Sequence, residues 1–266
     1  MAVLSAVGVS SLCSAVQAHA SPQDLPTVVL VHGAWADTSS WDGEIAVLRA
    51  NGFQARAVAN PLRNLASDAG TVASFVRSID GPVVLVGHSY GGSVISEAAG
   101  DCPNVKALVF VDGYLPEPGE SASMLNGQGS VLIENPEDQL FDATPYPDAP
   151  PQAMDLLLKR NVFLESFASD LPAERASQLW ATQRATSTAA VTSPNTASAW
   201  KTIPSWAFIS TGDHIITPAS KAFMAQRAGA TVTTFDGGSH LSLISHPDAV
   251  ASVIRTAAAA VVSTSP

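Results

Sequence analysis

Charge is what this sequence has least of. Across 266 residues, Lys, Arg, Asp and Glu make up only 14%, against about 25% in an average soluble chain. The charges present are unbalanced, 13 basic against 23 acidic, for a formal net charge of −10. With no Lys- or Arg-rich run, the chain lacks the clustered positive charge that a phosphate backbone demands, which excludes nucleic acid as a partner. The same scarcity, beside 46% hydrophobic residues, excludes a disordered chain and points to a globular protein with a large core. Cysteine is nearly absent too, at two residues, Cys13 and Cys102. Apolar runs are broken by Gly, Pro or polar residues well before about 18 in a row, so no stretch reads as a transmembrane helix. Also missing are H-E-x-x-H, paired-cysteine spacing, a P-loop and a G-x-G-x-x-G turn, so no metal or cofactor is implied.

No charged side chain occurs before Asp24. Residues 2–16 are small and apolar, and Ala18-His19-Ala20 fits the A-x-A pattern of a signal-peptidase site. The expectation is a signal peptide over residues 1–20, a mature chain starting at Ser21, and a secreted or periplasmic protein. Cleavage there leaves Cys102 alone, so no internal disulfide staples the fold.

From Leu25 onward, apolar runs alternate with amphipathic stretches. Thr27-Val-Val-Leu-Val31 shows no polar alternation, as a strand buried on both faces of a parallel sheet requires. Similar runs recur at 54–58, 83–86, 106–111, 206–210 and 231–235, with helical patterns near 39–51, 66–79, 93–100, 219–228 and 247–262. Strand–helix alternation of this kind predicts an α/β fold, about six mostly parallel strands with helices on both faces and right-handed crossovers. The rhythm breaks between 115 and 199, which opens with Pro116, Pro118 and Gly119 and carries helical patterns at 152–159, 162–167 and 172–182. That segment reads as a helical cap, inserted after the strand ending near Asp112, with 21–114 and 200–266 as the core. Leu156, Leu157, Phe163, Phe167, Leu179 and Trp180 are its candidates for facing the site.

Chemistry enters with Gly87-His88-Ser89-Tyr90-Gly91, directly after one strand and before a helix. Glycines two residues either side of a serine allow a sharp, strained strand-to-helix turn that exposes the hydroxyl at the edge of the sheet, which makes Ser89 the nucleophile candidate. A serine hydroxyl needs a base, and in this architecture the order is Ser, then Asp or Glu, then His. His240 follows the last strand and precedes the C-terminal helix, where such a base belongs. Asp213, after the strand 206–210, is the acid that would orient it; Asp112 is the rival, since it also ends a strand near the elbow. An oxyanion hole needs two preorganised donors. The backbone N–H of Tyr90 supplies one, and Ala34 in the loop Val31-His-Gly-Ala-Trp35 supplies the other. Trp35 either lines the substrate pocket or packs against Trp41 and the first helix.

Those motifs, together with Gly212-Asp-His-Ile-Ile-Thr-Pro218 and Gly238-Ser-His-Leu241, resemble the α/β-hydrolase superfamily over essentially all of 25–262. Within it, the His-Gly-Ala loop is similar to that of the small capped esterases related to plant methyl-ester esterases and hydroxynitrile lyases. The resemblance implies cofactor-free hydrolysis of a small-molecule carboxylic ester. The lyases of that group carry a Thr where this chain has Ala34 and a Lys directly after the catalytic His; Leu241 stands at the latter position, which speaks against cyanohydrin cleavage. The expectation is a serine carboxylesterase acting on small, apolar esters. A lactonase or another acyl-transfer enzyme using the same residues, and a ligand-sensing protein on this fold, are the alternatives.

Overall fold

The computed structural model describes residues 25–263, so the leader expected over 1–20, its cleavage before Ser21 and Cys13 lie outside the described residues. Strands β1 (Thr27–Val31), β2 (Ala55–Val58), β3 (Val83–His88) and β4 (Val105–Val111) form in sequence. Three short strands follow, β5 (Phe141–Thr144), β6 (Asp155–Leu158) and β7 (Thr186–Ser187). The chain then returns through β8 (Ser205–Ser210) and β9 (Thr231–Phe235). The main sheet is six-stranded and parallel, in the order β2-β1-β3-β4-β8-β9. Every residue of β1, β3 and β8 is buried, which is why those segments read as unbroken apolar runs: both faces are covered by helices. The edge strand β9 is exposed along most of its length.

Helices α1 (Asp42–Ala50), α2 (Leu65–Arg77) and α3 (Tyr90–Ala98) belong to the first half; α4 (Ala173–Thr182), α5 (Pro218–Arg227) and α6 (Pro247–Ser263) to the second. Their ends follow local chemistry. Asn64 accepts a hydrogen bond from Ser67 N–H at the start of α2 (3.0 Å), and Thr217 caps α5, whose first residue is a proline. Helix α1 packs on α6 and α2 on α3. Strand order reverses between β1 and β3, so the loops after these two strands diverge and leave a crevice at their carboxyl ends, the usual ligand position in an open α/β sheet. Among the described residues no helix is long and apolar enough to cross a membrane.

Over that crevice lies the segment between β4 and β8. Its helical content includes α4 and a π-helical turn at Phe163–Phe167. The pattern over 152–159 predicts a helix, but Asp155–Leu158 is the central strand β6 of a small antiparallel sheet, β5-β6-β7. A three-leucine run is short enough to suit either state. Pairing decides it: Phe141 lies opposite Leu158 and Thr144 opposite Asp155, which gives the backbone partners that a lone helical turn would lack. The segment is held to the core by an Arg63–Asp155 ion pair (2.8 Å) and by Arg184 donating to the Asn60 carbonyl (2.8 Å). At its return, the Glu97 carboxylate accepts from the N–H groups of Thr196 (2.8 Å) and Ala197 (3.0 Å).

Candidate active site

At the end of β3 the chain turns sharply into α3. Ser89 sits in the turn with φ 53° and ψ −123°, a left-handed backbone that a non-glycine residue adopts only where its surroundings impose it. The surroundings are visible: Ser89 N–H donates to the Val111 carbonyl on β4 (3.2 Å), and its own carbonyl accepts from Gly92 (2.9 Å) and Tyr114 (3.2 Å). A Cβ on Gly87 would come within 2.5 Å of the Gly91 carbonyl oxygen, so the tight turn needs the glycine the motif supplies.

Two loops from the far half of the sheet converge on Ser89. His240 lies after β9, fully buried, with Nε2 2.8 Å from Ser89 Oγ and Nδ1 2.9 Å from Asp213 Oδ2. Nδ1 donates to the carboxylate, which leaves Nε2 free to accept from the serine hydroxyl. Asp213 follows β8, and its Oδ1 also accepts from Ile215 N–H (2.8 Å) and Ile216 N–H (3.1 Å). Burial opposes ionisation of this carboxyl, but the charges and hydrogen bonds of His240 and Lys221 outweigh it and hold the group well below the usual carboxylate range. His88, inside the elbow, donates from Nε2 to the His240 carbonyl (2.8 Å); burial and the nearby His240 keep its ring neutral. The cap's Phe167 covers His240, ring centroids 5.0 Å apart.

Opposite the elbow stands the loop after β1. A Cβ at Gly33 would meet Ser89 Cβ at 2.6 Å, so the backbone passes the serine too closely for any side chain to fit there. His32 holds the loop: Nδ1 donates to the Gly33 carbonyl (2.9 Å) and Nε2 accepts from Asn60 N–H (3.0 Å). Burial lowers this imidazole to about 4. Trp35 has φ 57°, and its backbone N–H donates to Thr186 Oγ1 in β7 (2.9 Å) while its indole donates to the Leu156 carbonyl in β6 (3.0 Å). Among the described residues, the N–H groups of Ala34 and Tyr90 have no protein partner. Tyr90 is fixed from its other end, the hydroxyl donating to Asp68 (2.9 Å).

Between elbow and cap is a cavity of about 170 Å³, lined by Ala34, Trp35, Ser89, Tyr114, Asn126 and Leu156, among others. Trp35 thus lines the cavity, stacks on Phe141 (centroids 5.6 Å apart) and meets Phe167 edge to face (6.0 Å), with no ring contact to Trp41 among the described residues. Of the other cap candidates, Leu156 borders the cavity; Phe163 and Leu179 surround a smaller recess beside it. One buried cation escaped the sequence reading altogether. Lys221 of α5 donates to Asp213 Oδ2 (2.7 Å), to the Ser210 carbonyl (3.2 Å) and to Asp112. Asp112, the rival acid, does not reach His240: it accepts from Ser210 N–H and Oγ (2.7 Å each) and from Ser242 Oγ (2.5 Å).

A parallel sheet in this strand order, with a strained serine turn at the carboxyl end of β3 and a cap inserted after β4, is the architecture of the α/β-hydrolases. The comparisons agree. Residues 28–253 match the model of the alpha/beta hydrolase family, and the chain belongs to that family. It is 34% identical over 113 residues to a carbendazim hydrolyzing esterase of Nocardioides sp. (strain SG-4G), covering 36% of this chain and 46% of that protein. The chain spans about half the length of the curated relatives it matches. Among solved structures, polyneuridine aldehyde esterase superposes with a TM-score of 0.70 at 19% identity, covering 87% of this chain and 98% of that one. A pyrethroid hydrolase from Sphingobium faniae JZ-2 does so at 0.67 and 22%, covering 88% and 98%. At such identities the superpositions speak for the fold.

Proposed function

We propose that the protein is a serine carboxylesterase hydrolysing small, largely apolar esters through an acyl-enzyme on Ser89. One observation carries this reading: an unbroken hydrogen-bonded line from Asp213 through His240 to Ser89 Oγ, ending in a cavity. His240 Nε2 takes the Ser89 proton as Oγ bonds to the ester carbonyl carbon. The carbonyl π electrons move to oxygen, and the N–H groups of Ala34 and Tyr90 hold that oxyanion. Collapse breaks the bond to the alkoxy oxygen, which leaves as the alcohol with the proton from His240. Water then repeats the sequence on the acyl-enzyme and releases the acid. Asp213 orients the imidazole and stabilises its cationic form.

Cavity size sets the substrate scale. About 170 Å³ is close to the roughly 150 Å³ that accepts benzene in an engineered apolar cavity, so one side of the ester is ring-sized or a short branched chain. The esterase relatives support an ester as substrate. Lactones would use the same groups, and a panel of linear and cyclic esters separates the two; a ligand sensor on this fold would bind such a compound with negligible turnover. The test is direct: Ser89→Ala should abolish hydrolysis of p-nitrophenyl butyrate and labelling by a fluorophosphonate, with unchanged circular dichroism. Retained turnover in that variant would refute the assignment. We further propose that the protein is exported and begins at Ser21, which N-terminal mass spectrometry of the secreted form would check.

A further inference from the structure

We propose that Lys221, backed by Asp112, is a positioning residue of the active site, one that holds Asp213 as a carboxylate in a single orientation and restrains the positive charge on His240. The inference rests on the reading of Ser89, His240 and Asp213 given above and extends the line by two members. Lys221 is 1% exposed, and its ammonium has three donors for three acceptors: Asp213 Oδ2, the Ser210 carbonyl and Asp112. The atom it shares with His240 matters most. Asp213 Oδ2 accepts from His240 Nδ1 and from Lys221 Nζ together, so the carboxylate cannot rotate without losing a buried charge pair.

Asp112 completes the frame. It binds Ser210, at the end of the strand that leads to Asp213, and Ser242, two residues past His240. One carboxylate thus ties both loops that deliver the acid and the base. The charges in the cluster are two carboxylates and one ammonium. The other titratable groups that face it are His240, His88 and Tyr114; burial first, and then the charges nearby, push the His88 ring down and the Tyr114 hydroxyl up. Of the Lys221–Asp112 pair, the cation shares the acceptor oxygen of His240, whereas Asp112 reaches that loop only through the Ser242 hydroxyl. The pair therefore acts on His240 as a dipole with its positive end forward. Such a dipole disfavours a lasting imidazolium and favours return of the proton to the leaving group.

Two variants test this, Lys221→Met and the double variant Lys221→Met/Asp112→Asn. The single variant leaves two buried carboxylates facing each other and should lose thermal stability and activity together. The double variant removes one charge of each sign, should recover the fold, and carries the decisive measurements: NMR titration of the His240 ring without substrate, and the pH profile of kcat/KM. Both the His240 midpoint and the acidic limb should move to higher pH by about half a unit, from one missing dipole at an effective dielectric near 20, with kcat reduced and KM little changed. Unshifted midpoints in a folded double variant overturn the proposal and leave Lys221 as a staple of the fold. If the His240 midpoint moves while the wild-type protein neither turns over esters nor reacts with a fluorophosphonate, the charge relation stands and the esterase reading fails.

Discussion

Glu44 offers the sharpest test of the physical reasoning, because it lies outside the active site and its effect has a defined slope. It sits on α1 with no solvent exposure, and neither carboxyl oxygen has a hydrogen-bond partner among the described residues. Burial raises its pKa from 4.5 to about 9. Between those values the folded protein keeps a proton that the unfolded chain releases, so stability contributed at low pH is lost as pH rises through that window. Each pH unit costs about 1.4 kcal/mol. Glu44→Gln keeps the shape and removes the titration. Its stability relative to wild type should therefore improve by about 4 kcal/mol from pH 5 to pH 8, or on the order of 10 °C in Tm for a domain of this size. Urea unfolding of both proteins at pH 5, 6.5 and 8 measures it. A difference between them that stays constant across that range would show that Glu44 does not change ionisation on folding, and the account of its environment would fail.

Three further outcomes follow from the site. Asp213→Asn should lower kcat for p-nitrophenyl butyrate by about 10³- to 10⁴-fold with little change in KM, since the imidazole loses its orienting charge. Gly33→Ala drives a methyl group into the elbow serine, 2.6 Å from its Cβ, and moves the Ala34 donor; kcat should fall by about 10²-fold or more, while a melting curve distinguishes that from unfolding. His32 carries the opposite pH sign to Glu44. Its folded pKa near 4 lies below the ordinary 6.5, so the unfolded chain binds the proton first and stability drops as pH falls from 6.5 towards 4, by about 3 kcal/mol in all. His32→Gln should flatten that slope in urea titrations, and an unchanged slope would place the acid sensitivity elsewhere.

The six core strands were legible because each central strand is buried on both faces and therefore nearly free of polar residues. The elbow was legible because close backbone packing leaves glycine as the residue that fits at position 87. His240 and Asp213 were found through their order along the chain and their places after strands, and the structure brings both to Ser89. Other features had no local signature. Leu156 and Leu157 in β6 look the same in sequence whether helical or extended, and only pairing with β5 fixes their state. Lys221 sits in a helix whose spacing suggests an ordinary polar face; its partner Asp112 is 109 residues away in sequence. Glu44 likewise occupies a position that reads as a solvated helix surface, and only its burial in the folded chain shows that it is enclosed.

Thr186 has a practical consequence for anyone reshaping this protein. The cap contributes the atom that occupies the backbone donor next to Ala34, and a neighbouring cap strand holds the Trp35 indole. Shortening the cap to admit bulkier compounds would therefore remove two anchors from the loop proposed to hold the oxyanion. On the proposed function, breadth of substrate and speed of turnover would be mechanically linked, and a library that varies the cap should hold Thr186 and the Leu156 backbone fixed while it searches.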